Sequence, residues 1–497
     1  MTTEATDDDM SAIAKGGKQN VLGFLLRLLA RIPFLFIAGR LYGVDAVGRF
    51  ASALVVVELV ALVCAMGEKR GLAQRLTDGE EHHPANLVYD GMLLALIFSS
   101  LAAAFFYFVP APLFPSGEFT ALDRLIVLAI PGYALTEIVL AAQAYRYDIA
   151  TTVRARAVVE PWTISIMAGA FYFVPGISAS GLSMAYLVSI YAGLAVGLYA
   201  FFRAYGRPVG WRPSPNYMGK ITLRALPLAT ADAIEWGTRR VDIFILGLFA
   251  APSAVGVHYM AQQLASLPQK LKTSFEPILG PVITKNLKTQ NYAAIAKQVC
   301  QVGFWIIAAQ AGIALALGVP GEAIMGLFGP EYVGGTGALA FLLAAEVVAA
   351  TAVVSEAVLV YVARVRNLWI SIATIAVQAG LTILFIQLAV SYGLGEPFKA
   401  AAAAIALMLS LGFASLVKAW LLSRLINQPI NPYRWPLVWA VAPAVLVGWL
   451  ATLLPEWAEL AFGVPAILAT YAFVIWKRGF GPEDRKLFAK NKAEKPE

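Results

Sequence analysis

Two cysteines and three histidines in 497 residues leave almost nothing from which to build a disulfide framework or a metal centre. Cys64 and Cys300 lie far apart in apolar or amphipathic stretches. His82 and His83 are adjacent in a polar stretch, a poor spacing for ligands, and His258 has no partner that the sequence reveals. Charge is scarce as well. Only 14% of the residues are Asp, Glu, Lys or Arg, where a soluble domain carries about 25%. Catalytic signatures are missing too: there is no GxxxxGK[ST] phosphate loop, no GxSxG elbow and no paired-histidine zinc motif. ATP hydrolysis in this chain is thereby set aside as an energy source.

What is abundant is apolar sequence, 59% of all residues, with a mean hydropathy of +0.70. The chain reads as an all-α polytopic membrane protein. Its first twenty residues, MTTEATDDDMSAIAKGGKQN, are polar and acidic, and no small-residue cleavage site follows the next apolar run. They read as a retained tail rather than a cleaved signal. A membrane span needs about 20 mainly apolar residues. On that rule about fourteen spans are expected, centred near Phe34, Val56, Ile97, Tyr133, Ser165, Ile190, Trp236, Ala261, Ala308, Val348, Thr374, Leu407, Val445 and Leu468. The seventh, about 220–250, is longer than a straight span needs, so a tilt or a kink at Pro227 is expected.

The net charge of +7 and the pI near 9.2 could point to nucleic acid. Their distribution points to topology instead. Thirty of the 38 basic residues fall in the two tails and in the loops after even-numbered spans, among them Arg146, Arg154 and Arg156, Lys220 and Arg224, and Lys418. The opposite loops hold Arg49, Arg124 and Lys399. The positive-inside rule then puts both termini in the cytoplasm. Five basic residues remain inside spans: Arg27, Arg31 and Arg40 in the first, Arg239 and Arg240 in the seventh. A guanidinium at bilayer depth costs about 2.5–3.5 kcal/mol on insertion scales, so each needs a partner or a task.

An internal repeat relates the two groups. Sliding the chain by 208 residues lays RIPFLFIAGRLYGVDAVGRFASA (31–53) on RRVDIFILGLFAAPSAVGVHYMA (239–261) without a gap, and eight of 23 positions match. Arg31 meets Arg239, Gly39 meets Gly247, and Ala46-Val47-Gly48 meets Ala254-Val255-Gly256. Both segments start from the cytoplasm, so the repeat is parallel, six spans followed by six, a plan common in transporters with a midplane site between the halves. Arg31 lies twelve residues before Gly43, about 18 Å of helix, which places it and Arg239 near the middle of a core of about 30 Å. Arg27 and Arg31 share a helix face. Asp232, Glu235, Arg239 and Asp242 share another, with Arg240 about 100° away. Glu235 and Arg239 can neutralise each other at (i, i+4). For Arg27 and Arg31 the expected partners are Glu58 in span two or an anionic ligand. Arg40 lies close to the outer end and can snorkel. Glu137, Glu160, Glu346 and Glu356 are further acids within spans, open to a coupling proton or Na⁺.

With these residues in view, the chain resembles the oligosaccharide flippases, the polysaccharide-transport branch of the multidrug/oligosaccharidyl-lipid/polysaccharide exporter superfamily. RLYGVDAVGRFASA resembles that family's opening "R-x-LG-x-x-x-fG-x-ya" passage. VDIFILGLFAAPSAVGVHYMAQQL, LFGPEYVGG (327–335) and FEPILGPVITK (275–285) resemble later family segments in the same order. The likeness covers most of residues 20–425. It implies two six-helix lobes around a central cavity, here 20–205 and 206–425, between a cytoplasmic N-terminal tail (1–19) and two extra C-terminal helices (426–476) with a basic cytoplasmic tail (477–497). The fourteen-span count also resembles the lipid II flippases, which carry two such extra helices forming a groove for the lipid tail.

The implied activity is movement of a lipid-linked oligosaccharide, on an undecaprenyl-pyrophosphate-type carrier, from the cytoplasmic to the periplasmic leaflet of the bacterial inner membrane. The protein is then a transporter and not an enzyme, serving surface polysaccharide biosynthesis. Cavity-lining residues carried over are Arg27, Arg31 and Arg239, with Arg240 beside them. Guanidinium suits a pyrophosphate because it offers several donors and stays charged at any pH. Glu58, Asp232, Glu235 and Asp242 are the candidate charge partners or ion-coupling groups. No cofactor is expected; coupling to H⁺ or Na⁺ is open. Expected partners are the substrate lipid, membrane lipids and polysaccharide polymerase and export machinery, with no nucleic acid. Two alternatives stand. One is a drug/cation antiporter of the same superfamily, favoured by Glu58, Glu235 and Asp242. The other is a polysaccharide polymerase or ligase, disfavoured by the short outer loops.

Overall fold

The computed structural model describes residues 30–78, 83–271, 283–284, 286–481 and 484. Arg27 and most of the 275–285 segment lie outside them. Among the described residues the protein is wholly helical. Helices α1 (30–42), α2 (Gly43–Cys64), α4 (Pro84–Phe108), α5 (Asp123–Tyr145), α6 (149–172) and α7 (Ser178–Tyr205) are followed by α8 (Pro215–Phe249) and α9 (Pro252–Leu271). Next come α10 (Tyr292–Gly318), α11 (Pro330–Val362), α12 (Arg364–Ser391), α13 (Glu396–Ile426), α14 (Trp435–Ala451) and α15 (Glu456–Gly479). Each of these fourteen contains one of the expected span centres. A short amphipathic helix, α3 (Glu68–Asp78), lies between α2 and α4.

Residues 30–64 are helical without interruption, yet they do not form one rod. Phe34 and Phe50 are sixteen positions apart, about 24 Å in a continuous helix, but their rings lie 6.1 Å apart. The chain therefore reverses, and it does so at Gly43, whose φ of 78° and ψ of 174° only glycine adopts cheaply. A π-turn over Ala38–Tyr42 leads into this reversal. In the second repeat the corresponding reversal falls at Ala250 and Ala251, between α8 and α9.

The chain divides into two compact units, Met1–Tyr259 and Met260–Glu497. In the first, an apolar core of Leu72, Leu87, Val88, Ile138, Val139 and Phe201 joins α3, α4, α5 and α7. The start of α9 belongs to this unit and crosses α2 backbone to backbone. A methyl group built on Gly48 would overlap the Pro252 carbonyl, and one built on Gly256 would overlap the Val44 carbonyl. Positions 44 and 48 map onto 252 and 256 under the 208-residue shift. The crossing is thus reciprocal, as a two-fold relation between the two hairpins requires.

Helix α8 spans 35 residues, about 52 Å, and runs on through Pro227. Lys220 and Arg224 lie in its first turns rather than in a loop. In the second unit, α14 and α15 contribute Leu437, Ala440, Ala444, Ile467, Tyr471 and Ile475 to the core. A methyl group built on Gly312 of α10 would stand 3.0 Å from the Tyr471 ring, and one built on Gly448 would strike Val319 and Ile467. Trp435, Trp439, Trp449 and Trp457 on the same two helices stay exposed.

Candidate functional site

The spanning arginines sit on the two hairpins related by the repeat. Arg31 on α1 is twelve residues before its turn and exposed, and Arg239 on α8 is twelve residues before Ala251 and exposed. Arg239 approaches Glu235 at 3.8 Å, with 42% and 54% of the two side chains open. Ionised groups this open on a spanning helix face a water-filled path, because facing lipid is too costly. Arg31, Arg240 and Glu58 all lie within electrostatic reach of the buried Tyr259. Three of the residues singled out by sequence, from α1, α8 and α2, thus come together around one side chain of α9. Arg40 is exposed near the end of α1.

The acidic face of α8 divides. Glu235 opens outward, while Asp232 and Asp242 are buried. Asp242 is bonded to His258 Nε2 at 2.8 Å, both side chains fully enclosed. This supplies the partner that the sequence did not reveal for His258. Under the repeat, positions 242 and 258 correspond to 34 and 50. The first hairpin is closed by a Phe–Phe contact and the second, at the same place, by an Asp–His bond.

A second cluster was not expected from the sequence. Arg156, read there as a loop residue, lies inside α6, in a π-helical stretch from Arg154 to Val159. Its guanidinium grips Glu160 through Nη1 at 2.9 and 3.0 Å, bonds Glu137 of α5 through Nη2, and sits 4.6 Å over the Tyr133 ring. Glu58 acts electrostatically on Tyr133 and Tyr186 from α2. Gly193 of α7 makes room for Glu160, since a side chain there would strike its carboxylate. Two carboxylates thus hold one guanidinium within the first unit, with Glu58 close to the tyrosines beside it. The sequence signal was Arg156 four residues before Glu160, masked because the span was started too late.

Lys418 was likewise placed beside a loop. It is 95% buried within α13, where its ammonium bonds Glu356 of α11 at 2.9 Å and Ser371 of α12 at 3.3 Å. Asn367 adds a bond to the other oxygen of Glu356 at 3.3 Å. At the end of the same unit, beyond the last span, Asp484 accepts from Arg434, Gln301, Trp305 and the Gly481 N–H at 2.7 to 3.1 Å. Burial pushes the Asp484 carboxyl up, but these four donors outweigh it and bring it down to about 2. Among the described residues no group of three His, Cys, Asp or Glu side chains has metal-site geometry.

A sequence model of polysaccharide biosynthesis proteins matches residues 37–311, more than half of the chain. The chain belongs to the polysaccharide biosynthesis protein family. Solved structures of similar fold include an inward-facing multidrug resistance MATE family transporter of the MOP superfamily. It gives a TM-score of 0.66 at 16% identity, over 81% of this chain and 95% of that one. Lipid II flippase MurJ in an inward closed conformation gives 0.66 at 14% identity, over 92% and 99%. A MATE protein in a bent conformation gives 0.56 at 16% identity, over 86% and 99%. At such identities the likeness is one of fold. No curated protein matches the sequence. This polysaccharide biosynthesis protein therefore combines a MATE- and MurJ-like helical fold with arginines on both repeat-related hairpins.

Proposed function

We propose that this protein is a flippase that carries a lipid-linked oligosaccharide, on an undecaprenyl-pyrophosphate-type carrier, from the cytoplasmic to the periplasmic leaflet by alternating access. The observation that carries the reading is the pair of exposed arginines, Arg31 and Arg239, at repeat-equivalent places on spanning helices. With Arg240 they supply permanent positive charge where a pyrophosphate would otherwise cross the bilayer unpaired. In this mechanism the arginines draw the pyrophosphate into an inward-open cavity while the lipid tail stays in the bilayer. The two halves rock about the repeat axis, and the head group leaves on the outer side. Both termini are cytoplasmic in this orientation.

Energy comes from an ion or potential gradient. Glu137 and Glu160 together exceed Arg156 in carboxylates, so H⁺ or Na⁺ is the ion this half of the protein would attract. The same surplus is what favours the second reading, a drug/cation antiporter. One experiment separates them: delete the gene, then analyse inner-membrane lipids and surface polysaccharide. Accumulated pyrophosphate-linked oligosaccharide with loss of surface polymer supports the flippase. Unchanged lipids with new sensitivity to cationic drugs would refute it in favour of the antiporter.

A further inference from the structure

The short helix α3 is held on two sides by contacts of unequal weight. On one side Leu72 and Leu76 enter the apolar core shared with α4, α5 and α7. Arg75 reinforces that side, donating through Nη2 to Glu68 at 2.7 Å and to the Leu87 carbonyl of α4 at 3.2 Å. Both charged side chains are more than nine-tenths buried. Gly91 of α4 makes room for them, since a methyl group there would stand 3.0 Å from Arg75 Nη2.

The other side meets α8, and here two glycines close on one leucine. A methyl group built on Gly67 would overlap the Leu228 Cβ, and one built on Gly71 would stand 2.9 Å from the Leu228 Cδ1. Gly67 has a φ of 62°, a left-handed turn that brings the chain against α8 at little cost only because the residue is glycine. Charge adds to this thin contact, because Arg224 of α8 acts electrostatically on Glu68. Pro227 stands one residue before Leu228 inside α8. Having no N–H, it deprives the Leu223 carbonyl of its helical bond and weakens α8 beside the point that α3 touches.

The repeat gives this contact its meaning. The 208-residue shift lays α1 and α2 on α8 and α9, so α8 opens the second set of spans, whereas α3 lies within the first. The contact of α3 with α8 and the crossing of Gly48 with Gly256 therefore both join one repeat to the other. Leu228 is 23 residues before Ala251, about 35 Å of helix, so the two contacts lie towards opposite faces of a core of about 30 Å. A carrier that works by alternating access must part its repeats on one face at a time.

We propose that α3 is a latch between the repeats on the cytoplasmic face. Helix α8 pivots at Pro227, Leu228 leaves the notch of Gly67 and Gly71, and the inner entrance opens while the Gly48–Gly256 crossing stays shut. The link to oligosaccharide movement rests on the flippase reading; the parting of α3 from α8 does not. The test uses the full chain carrying Cys64→Ala and Cys300→Ala, in inverted membrane vesicles whose cytoplasmic face is outside. Oxidising the Gly71→Cys/Leu228→Cys pair with copper phenanthroline ties α3 to α8. Translocation is read as protection of the host's own lipid-linked oligosaccharide from periodate added outside. The oxidised vesicles should translocate at least tenfold more slowly, and dithiothreitol should restore the rate.

A second readout needs no substrate. Ala229 is 2% exposed beside the contact, so a cysteine placed there by Ala229→Cys reports the parting of α3 by its labelling with N-ethylmaleimide. Leu228→Ala should speed that labelling at least fivefold, and Pro227→Ala, which restores the helical bond, should slow it by a similar factor. Undiminished translocation by the tied protein, or labelling that neither change alters, overturns the latch. If the untied parent moves no lipid-linked oligosaccharide while the labelling responds as expected, the flippase reading fails and the latch stands.

Discussion

Replacing Gly48 or Gly256 by alanine attacks a place where the two repeat-related hairpins meet backbone to backbone. A methyl on Gly48 would stand 2.5 Å from the Pro252 carbonyl carbon and nearer still to its oxygen. Ordinary carbon contacts lie at about 3.5–4.0 Å, so α2 and α9 must part by about 1 Å or more to admit it. The obstacle is backbone, which no rotamer change relieves. Overpacking of this kind costs about 1–3 kcal/mol, and each 1.4 kcal/mol is about a tenfold shift in an equilibrium. The conformation with this crossing closed should therefore lose about five- to 150-fold in weight against one with it open. The assay places a cysteine at Val44 and follows its labelling by an impermeant maleimide in whole cells. Gly48→Ala and Gly256→Ala should each raise the labelling rate and depress polysaccharide export. Gly380→Ala is the control: its Cβ meets nothing within 4 Å, and helix propensity favours alanine there by about 1 kcal/mol. If Gly48→Ala labels and exports like the parent protein, the crossing is not a moving contact and the reasoning fails.

Four further outcomes are expected. Arg31→Ala and Arg239→Ala should each abolish or cripple export with unchanged membrane levels on immunoblots, whereas Arg40→Ala should be milder. Arg156→Ala leaves Glu137 and Glu160 without their shared cation and should destabilise the protein by about 3–5 kcal/mol, read as a fall in detergent-solubilised Tm that Glu160→Gln alone does not match. Asp484 is held near pKa 2, below its unfolded value of about 3.9. Its stabilising contribution is therefore full above about pH 4 and is lost as pH falls towards 2; the Tm gap between parent and Asp484→Asn should be constant from pH 5 to 8 and shrink at pH 3. Asp242→Ala or His258→Ala should cost more stability than the double change Asp242→Phe/His258→Phe, which recreates the contact that closes the first hairpin.

The helices were legible because apolar runs of span length are a property of sequence alone. So was the repeat: Arg31 with Arg239, and Gly48 with Gly256, fall at one offset, and the reciprocal crossing of Gly48 and Gly256 is its physical counterpart. Side-chain partnerships were less legible, for a definite reason. Arg156 with Glu137, and Lys418 with Glu356, join helices that the sequence cannot pair. Both cations lie within a few turns of a helix end, where hydropathy alone reads them as loop charge. The boundary of α6 moved once Arg156 found acids to sit among, because a paired guanidinium can enter a span that an unpaired one cannot.

Hairpin closure shows where pattern gives way to chemistry. At 34/50 and 242/258 the backbone repeats, and the side chains meet in both hairpins, but one meeting is aromatic and the other is ionisable. Since phenylalanine is sufficient to close the first hairpin, the closure itself does not require a buried carboxylate in the second. Replacing buried ionic pairs by apolar ones is often neutral or stabilising. Asp242 and His258 are therefore retained at a place where packing offers a cheaper solution. The same asymmetry recurs at Arg49, whose equivalent is Val257. Polar chemistry thus differs between the hairpins where their geometry agrees, and the proposed one-way movement of a charged head group calls for that kind of difference.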